Sequence, residues 1–409
     1  MSFFNKLKRF LIKAATLSTA LLYCASLSGC ASGSDTSSTD RLHNTVTGGF
    51  KQTLTLQTTA AAPALSAKSA VLIDADSGEV LSSKNPDERL PMASTTKIMT
   101  ALVAIEEGDL DSVIRIPREA VGVEGSSIYL YEGEELKLGE LVLALMLESA
   151  NDAAAAIAIA VGGSVDGFAD MMNRKALELG LENTHFENPH GLDSEEHYTT
   201  ARELGKIAAY AMKNDKFREI VSTKKKTIPL NGDEGVRLLL NHNRLLKSYE
   251  GAIGVKTGYT KKSGRCLVSA AERDGLTLIC VTLSAPDDWN DHRSLLDYGF
   301  SLYESRLIFA KNQFGHTLPA VGGESEYVTL TNRDEIRLTL PKSATEVKYR
   351  VEAPRFGYAP INEGEMLGTL ICSVNGEDVA EVPLYAAYSV GKASNKDNFW
   401  GKLASLFKK

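Results

Sequence analysis

The chain has 409 residues and a formal net charge of −7, long enough for two or three domains. The acidic balance excludes a general nucleic-acid binder. A hydrophobic share of 43% and a charged share of 24% are those of an ordinary globular protein.

The first thirty residues read as a targeting segment. Lys6, Lys8, Arg9 and Lys13 form a basic region, and Ala14 to Leu27 an apolar run too short for a comfortable membrane span. The run ends Leu27-Ser28-Gly29-Cys30, which resembles the bacterial lipobox, where the cysteine is lipidated and becomes the new N-terminus. The alternative is an ordinary secretory signal cleaved nearby, with Cys30 incidental. Either way the protein is expected outside the cytoplasm. Residues 31–65, rich in Ser, Thr, Ala and Gly, read as a flexible tether.

Ser69 to Asp74 reads as a buried strand, Asp76-Ser77-Gly78 as a turn and Glu79 to Ser83 as the returning strand. Next comes Ser94-Thr95-Thr96-Lys97, opening an apolar run in which Ile98, Leu102 and Ile105 fall at helical spacing, with an end near Gly108. Residues three apart share a helix face, so Ser94 Oγ and Lys97 Nζ are expected side by side. Apolar surroundings push a lysine toward its neutral form. A neutral amine beside a hydroxyl makes Ser94 a candidate nucleophile and Lys97 a candidate base.

Leu138 to Leu147 reads as a second apolar helix, followed by the polar cluster Glu148-Ser149-Ala150-Asn151-Asp152 and an Ala-rich helix over about 153–161. The simplest account of that cluster is Asn151 or Asp152 capping the later helix. A helix over about 164–179 closes at Gly180. Residues 182–200 have turn chemistry and no periodicity, which predicts a long loop with His190 shaping a turn. Thr200 and Glu203 form a candidate capping box for the next helix. Residues 226–248 are mixed. Then Gly254 to Thr260 leads into two alternating runs, Arg265 to Ala271 and Leu276 to Leu283, which predict a hairpin about Asp274-Gly275. Cys266 and Cys280 would then not face each other, so Cys266, Cys280 and Cys372 are expected as free thiols. A helix over about 289–303 ends this domain. Strands, many helices, then strands imply an α+β domain whose sheet is built from both ends, with a helical cluster against it.

Residues 305–390 read as a small all-β domain of short Val-, Leu- and Thr-rich runs between Gly, Asn and Asp turns. In the tail, 391–409, Phe399, Trp400, Leu403, Leu406 and Phe407 gather on one helical side with lysines flanking them. That is a membrane-interface pattern; the alternative is a last helix docked on the β domain. The seven histidines are scattered and no C-x-x-C or H-x-x-x-H spacing occurs, so no metal or cofactor is expected.

Ser94-x-x-Lys97, Ser149-Ala150-Asn151 and Lys256-Thr257-Gly258 occur in this order. The set resembles the active site of penicillin-binding proteins and serine β-lactamases. The wording His242-Asn243-Arg244-Leu245-Leu246 and Lys256-Thr257-Gly258-Tyr259-Thr260 is similar to that of the D-alanyl-D-alanine carboxypeptidases, the low-molecular-weight penicillin-binding proteins. The resemblance covers residues 66–390. It implies a β-lactamase/transpeptidase-like catalytic domain over 66–304, no cofactor, peptidoglycan stem peptides as substrates and β-lactam antibiotics as inhibitors. It extends to the amphipathic tail and so implies attachment to the outer face of the cell membrane, to which the lipobox-like end would add a lipid on Cys30.

It further implies that Ser94 forms an acyl-enzyme, Lys97 takes its proton, Ser149 relays a proton to the leaving D-alanine and Asn151 positions the peptide and Lys97. Lys256 and Thr257 would bind the terminal carboxylate, and Gly258 would let substrate backbone pass close. The N–H groups of Ser94 and Tyr259 would form the oxyanion hole. Arg265 pairs with either substrate carboxylate or a structural acid, and Trp289 reads as packing.

Three rival readings stand beside this one. A class A β-lactamase should carry Ser-Asp-Asn and a loop glutamate, where this chain has Ser149-Ala150-Asn151 and no matching loop motif. An endopeptidase or transpeptidase would share the nucleophile. A non-catalytic wall-binding lipoprotein would share the fold.

Overall fold

The computed structural model describes residues 51–52, 61–230 and 235–393. Cys30 and the amphipathic residues of the tail lie outside the described residues.

The chain begins with a short strand, β1 (Lys51–Gln52), then β2 (Ser69–Asp74) and β3 (Val80–Lys84). A 3₁₀ turn over Ala93–Thr96 leads into α1 (Lys97–Glu107). The short pair β4 (Val113–Arg115) and β5 (Glu135–Lys137) precedes α2 (Leu138–Leu147), α3 (Asn151–Gly162) and α4 (Val165–Glu178). After the loop come α5 (Ala201–Met212) and α6 (Asp215–Ser222), the pair β6 (Lys225–Pro229) and β7 (Val236–Leu240), and one turn of helix, α7 (Leu245–Ser248). The strands β8 (Ala252–Thr260), β9 (Gly264–Arg273) and β10 (Leu276–Leu283) and helix α8 (Asp288–Leu302) complete this lobe.

One antiparallel sheet has the order β3-β2-β10-β9-β8. The first strand of the lobe thus lies against the last, as the strand–helix–strand order predicts. All six residues of β2 are buried, because helices cover both faces. Val71 and Ile73 point into the large core with α1, α2, α3 and α5, while Ala70 and Leu72 point into a second core with Leu295 and Leu296 of α8. The β9–β10 turn is Asp274-Gly275, with φ +50° and +79° and Arg273 opposite Leu276. Both central residues are left-handed, as a two-residue hairpin turn of this hand requires. Cys280 faces Ser269 across this hairpin, and Cys266, Cys280 and Cys372 are buried free thiols.

The sequence-based expectations needed three corrections. The stretch 226–248, read as mixed, contains β6 and β7, which pair antiparallel with Lys225 opposite Leu240 and Pro229 opposite Val236. The Thr200–Glu203 capping box forms only by half. Thr200 Oγ1 accepts from Glu203 N at 3.1 Å, but the Glu203 carboxylate turns away to the N–H groups of Glu182 and Asn183 and the Thr184 hydroxyl. It thereby ties down the start of the 182–200 loop. Lys51 and Gln52, inside the segment read as a tether, pair with Glu381 and Ala380 of the C-terminal domain.

That domain runs from β11 (Tyr303–Phe309) through β12 (His316–Val321), β13 (Tyr327–Thr331), β14 (Ile336–Pro341), β15 (Val347–Glu352), β16 (Gly357–Tyr358) and β17 (Met366–Val374) to β18 (Glu377–Ala386). It is all-β, with a separate apolar core that includes Leu318, Val328, Leu338, Leu370 and Leu384. α8 runs straight into β11, and the Thr339 hydroxyl of β14 donates to the buried Asp74 carboxylate at the end of β2.

Candidate active site

The three motifs meet at a cleft of about 340 Å³. Ser94, Ser149, Thr257, Gly258 and Tyr259 line it, together with Ser126, His242 and Arg244.

Ser94 sits in the 3₁₀ turn that precedes α1. Ala93 before it has φ +48°, an uncommon conformation for a residue with a side chain. The turn is braced by Thr95, whose hydroxyl donates to Met92 O at 2.6 Å, and by Thr96, whose hydroxyl bonds His197 Nε2 at 2.8 Å. Gly191 packs directly behind it. A Cβ at Gly191 would lie 2.0 Å from Ala93 O, so this approach requires glycine.

Lys97 is the first residue of α1 and is fully buried. Its Nζ lies 3.1 Å from Ser94 Oγ, 2.6 Å from Asn151 Oδ1 and 2.5 Å from His190 O. Burial holds its pKa well below the usual lysine value; Lys256 adds to that and Asp152 opposes it. A neutral amine has two N–H donors and one lone pair. The carbonyl oxygens of Asn151 and His190 can only accept, so the two N–H bonds go there. The lone pair is left facing Ser94, the one partner of the three that can donate.

Asn151 opens α3. It does not cap it, and neither does Asp152: the N-cap is Ala150, which has no capping side chain. Asn151 is instead held by the 124–126 segment, with its N–H to Ser126 O at 2.7 Å and its Nδ2 to Glu124 O at 2.5 Å. Those bonds orient its Oδ1 toward Lys97. Ser149, at the α2–α3 corner, has φ +62°. Outliers of this kind at both the Ser94 and Ser149 corners store strain where side chains must be aimed.

Lys256, Thr257 and Gly258 lie on β8, the edge strand of the sheet. Lys256 is 2% exposed, and its Nζ donates to Thr257 O at 2.9 Å. Burial lowers its pKa to about 7, against the opposing pull of Glu148. A Cβ at Gly258 would stand 3.0 Å from Ser94 N and 3.1 Å from Thr95 N. Glycine there lets the edge strand come up against the turn that carries Ser94.

Some participants were not foreseen. The His190 backbone carbonyl bonds Lys97, while its ring, pushed by burial to a pKa of about 3, accepts from Leu192 N at 3.3 Å. Arg265 lies 3.6 Å from the structural acid Asp288 and also lines the cleft. Trp289, read as packing, lines the cleft too, with the Arg244 guanidinium 5.9 Å from its ring centre. A backbone carbonyl carries no side-chain signal, and a tryptophan's surroundings depend on which elements meet it.

The model of the D-alanyl-D-alanine carboxypeptidase family matches residues 56–287, a stretch that contains all three motifs. The chain belongs to the D-alanyl-D-alanine carboxypeptidase family. A second family model, that of the penicillin-binding protein 5 C-terminal domain, matches residues 303–392. Among curated members of the carboxypeptidase family, DacF of Bacillus subtilis is 36% identical over 80% of this chain and 86% of its own length. DacC of Escherichia coli is 30% identical over 84% and 88%. Among solved structures, penicillin-binding protein 5 of Haemophilus influenzae superposes with a TM-score of 0.71 at 29% identity, over 81% of this chain and all of that one. The Streptomyces K15 DD-transpeptidase gives 0.56 at 36% identity, over 59% of this chain and all of its own. The carboxypeptidase family is one of wall enzymes acting outside the cytoplasm, and the all-β domain follows the catalytic one as the two matched models do.

Proposed function

We infer that this protein is a serine D-alanyl-D-alanine carboxypeptidase that removes the terminal D-alanine from peptidoglycan stem pentapeptides. The observation that carries the mechanism is Lys97 Nζ lying 3.1 Å from Ser94 Oγ, with its two other partners, Asn151 Oδ1 and His190 O, able only to accept. Ser94 Oγ attacks the carbonyl carbon of the penultimate D-alanine while its proton passes to Lys97. The oxyanion forms against the N–H groups of Ser94 and Tyr259. Ser149 relays the proton to the leaving amine, the C–N bond breaks and D-alanine departs. Water then hydrolyses the ester. The substrate lies along β8 as an added strand, since an edge strand offers unpaired backbone groups.

Lys256, Thr257 and the guanidinium groups of Arg244 and Arg265 hold the terminal carboxylate. A bound carboxylate favours the charged form of Lys256, which burial otherwise brings close to neutrality near pH 7. A β-lactam presents its carbonyl and carboxylate in the same arrangement, acylates Ser94 and deacylates slowly. Residues 1–30 direct export, Cys30 carries a lipid, and the tail lies on the outer face of the cell membrane.

The test is a stem pentapeptide ending in D-Ala-D-Ala, followed by mass with the wild type and Ser94→Ala. Loss of one alanine with the wild type alone is expected. An unchanged pentapeptide together with cleavage of crosslinked muropeptides would instead make the protein an endopeptidase.

A further inference from the structure

Beside the cleft, the segment that supplies Ser126 continues into a loop with an unusual construction. Tyr129 has φ +59° and is 85% exposed. A bulky side chain in that region of backbone space is an outlier that persists only where the surroundings hold it. Here two buried carboxylates do so. Asp152 accepts from Ser127 Oγ at 2.6 Å, Leu130 N at 3.0 Å and Ile128 N at 3.3 Å. Glu134 is paired with Arg237, whose guanidinium also donates to Ile128 O at 3.0 Å and Tyr129 O at 3.4 Å. Tyr129 N donates to Ser127 Oγ at 2.8 Å. The loop is clamped from both sides, yet the ring it carries contributes nothing to the core.

Arg237 also links the loop to the cleft wall. It belongs to β7, whose alternate residues Val236, Leu238 and Leu240 are 68%, 57% and 46% exposed. β7 leads directly to His242 of the cleft. Glu148 ties the two together, accepting from Leu240 N and lying 3.1 Å from His242 Nε2. The loop that carries Tyr129 therefore forms a ledge beside the cleft wall, tied to it through Arg237 and β7. With two residues between them, Tyr129 Cα lies within about 11 Å of Ser126 Cα.

We propose that this ledge is a subsite for the N-acetylated sugar from which the stem peptide hangs, with the pyranose C–H face stacked on the Tyr129 ring. The proposal rests on the carboxypeptidase reading. A peptide whose C-terminus reaches Ser94 leaves the cleft over its rim, and its far end carries a sugar. One face of a pyranose presents C–H groups of slight positive character, which match the negative face of an aromatic ring. A rigid exposed tyrosine offers that contact with little further loss of freedom on binding. The enzyme would thus select wall-attached stems over free peptide.

The test measures binding to full-length Ser94→Ala of a stem pentapeptide with and without N-acetylglucosaminyl-N-acetylmuramyl attached, by calorimetry. A roughly 5- to 10-fold tighter Kd for the sugar-bearing ligand is expected. That ratio should fall to about 1 when Tyr129→Ala is added and persist with Tyr129→Phe. An equal Kd for the two ligands, or a ratio unchanged by Tyr129→Ala, overturns the proposal. So does a result in which Tyr129→Ala abolishes only binding to phosphatidylglycerol vesicles, which would make the ledge a lipid contact. D-alanine release by the wild type is scored separately. Its absence would overturn the carboxypeptidase reading, while the binding ratio still decides the subsite.

Discussion

The catalytic lobe buries Lys97, Lys256, Glu134, Asp152, His197 and His292, whereas among the described residues the buried polar side chains of the β domain are Thr331, Asn332 and Thr339. Backbone strain divides in the same way. Ala93, Tyr129 and Ser149 take positive φ in the lobe, while the non-glycine residues that do so in the β domain are Asn312 and Asn375, a type that tolerates it. Both halves have apolar cores. Burying amines and carboxylates costs stability unless each finds a partner. That cost is carried in one half, where the partners also aim Ser94, Lys97 and Asn151.

The largest effect should come from Ser94→Ala, which removes the nucleophile: no covalent adduct with penicillin should form, as read by intact mass. A labelled Ser94→Ala protein would break the contrast by placing reactivity elsewhere. Lys97→Met should slow penicillin acylation by about 10³-fold, within the range for a lost proton acceptor. The fold should survive with an unchanged or higher Tm, because burying an amine costs stability and burial lowers the Lys97 pKa. A collapse of Tm would mean that Lys97 is instead part of a charged network.

In the β domain, Leu370→Ala should cost about 2–5 kcal/mol in denaturant unfolding of that domain, with the acylation rate unchanged. In the lobe, Asp152→Ala should cost about 3 kcal/mol by leaving the Ser127 hydroxyl and two N–H groups without their acceptor, and should slow acylation as well. Equal effects of both changes on acylation would dissolve the distinction.

The smallest effect, counted per histidine and per pH unit, concerns acid. Burial holds His197 at a pKa of about 4 and His292 at about 3, against an ordinary value of 6.5. Below pH 6.5 the unfolded chain takes up protons that these folded histidines refuse, so stability falls as pH falls. Each contributes up to about 1.4 kcal/mol per pH unit, His197 down to about pH 4 and His292 to about pH 3. Calorimetry between pH 6.5 and 4 should show this loss. His292 also bonds Ser269 and Thr282 in its neutral form, so His292→Gln should flatten part of the slope.

Much of the site was legible because its spacing is local. Ser94 and Lys97 meet through one helical turn, and the helix around them could be read from Ile98 and Leu102. The Asp274-Gly275 turn and the hydroxyl cap at Thr200 follow from residues a few positions apart. The misreadings share a different feature. Asp152 was read as a cap because its local position suits one, but its oxygens serve a loop more than twenty residues earlier. The Glu203 carboxylate likewise left its local partner for residues 182–184.

The sequence by itself therefore determined the candidate residues, the helix and strand that carry them, and the α+β order with a β domain after it. These depend on periodicity and on neighbours one turn apart. Tertiary structure alone decided that the His190 carbonyl and the Asn151 amide take both N–H bonds of Lys97. It also decided that Gly258 brings β8 against Ser94, and that two buried carboxylates hold Tyr129 out into solvent. Contacts of that kind join segments tens of residues apart, and only the packed core brings them within hydrogen-bonding distance.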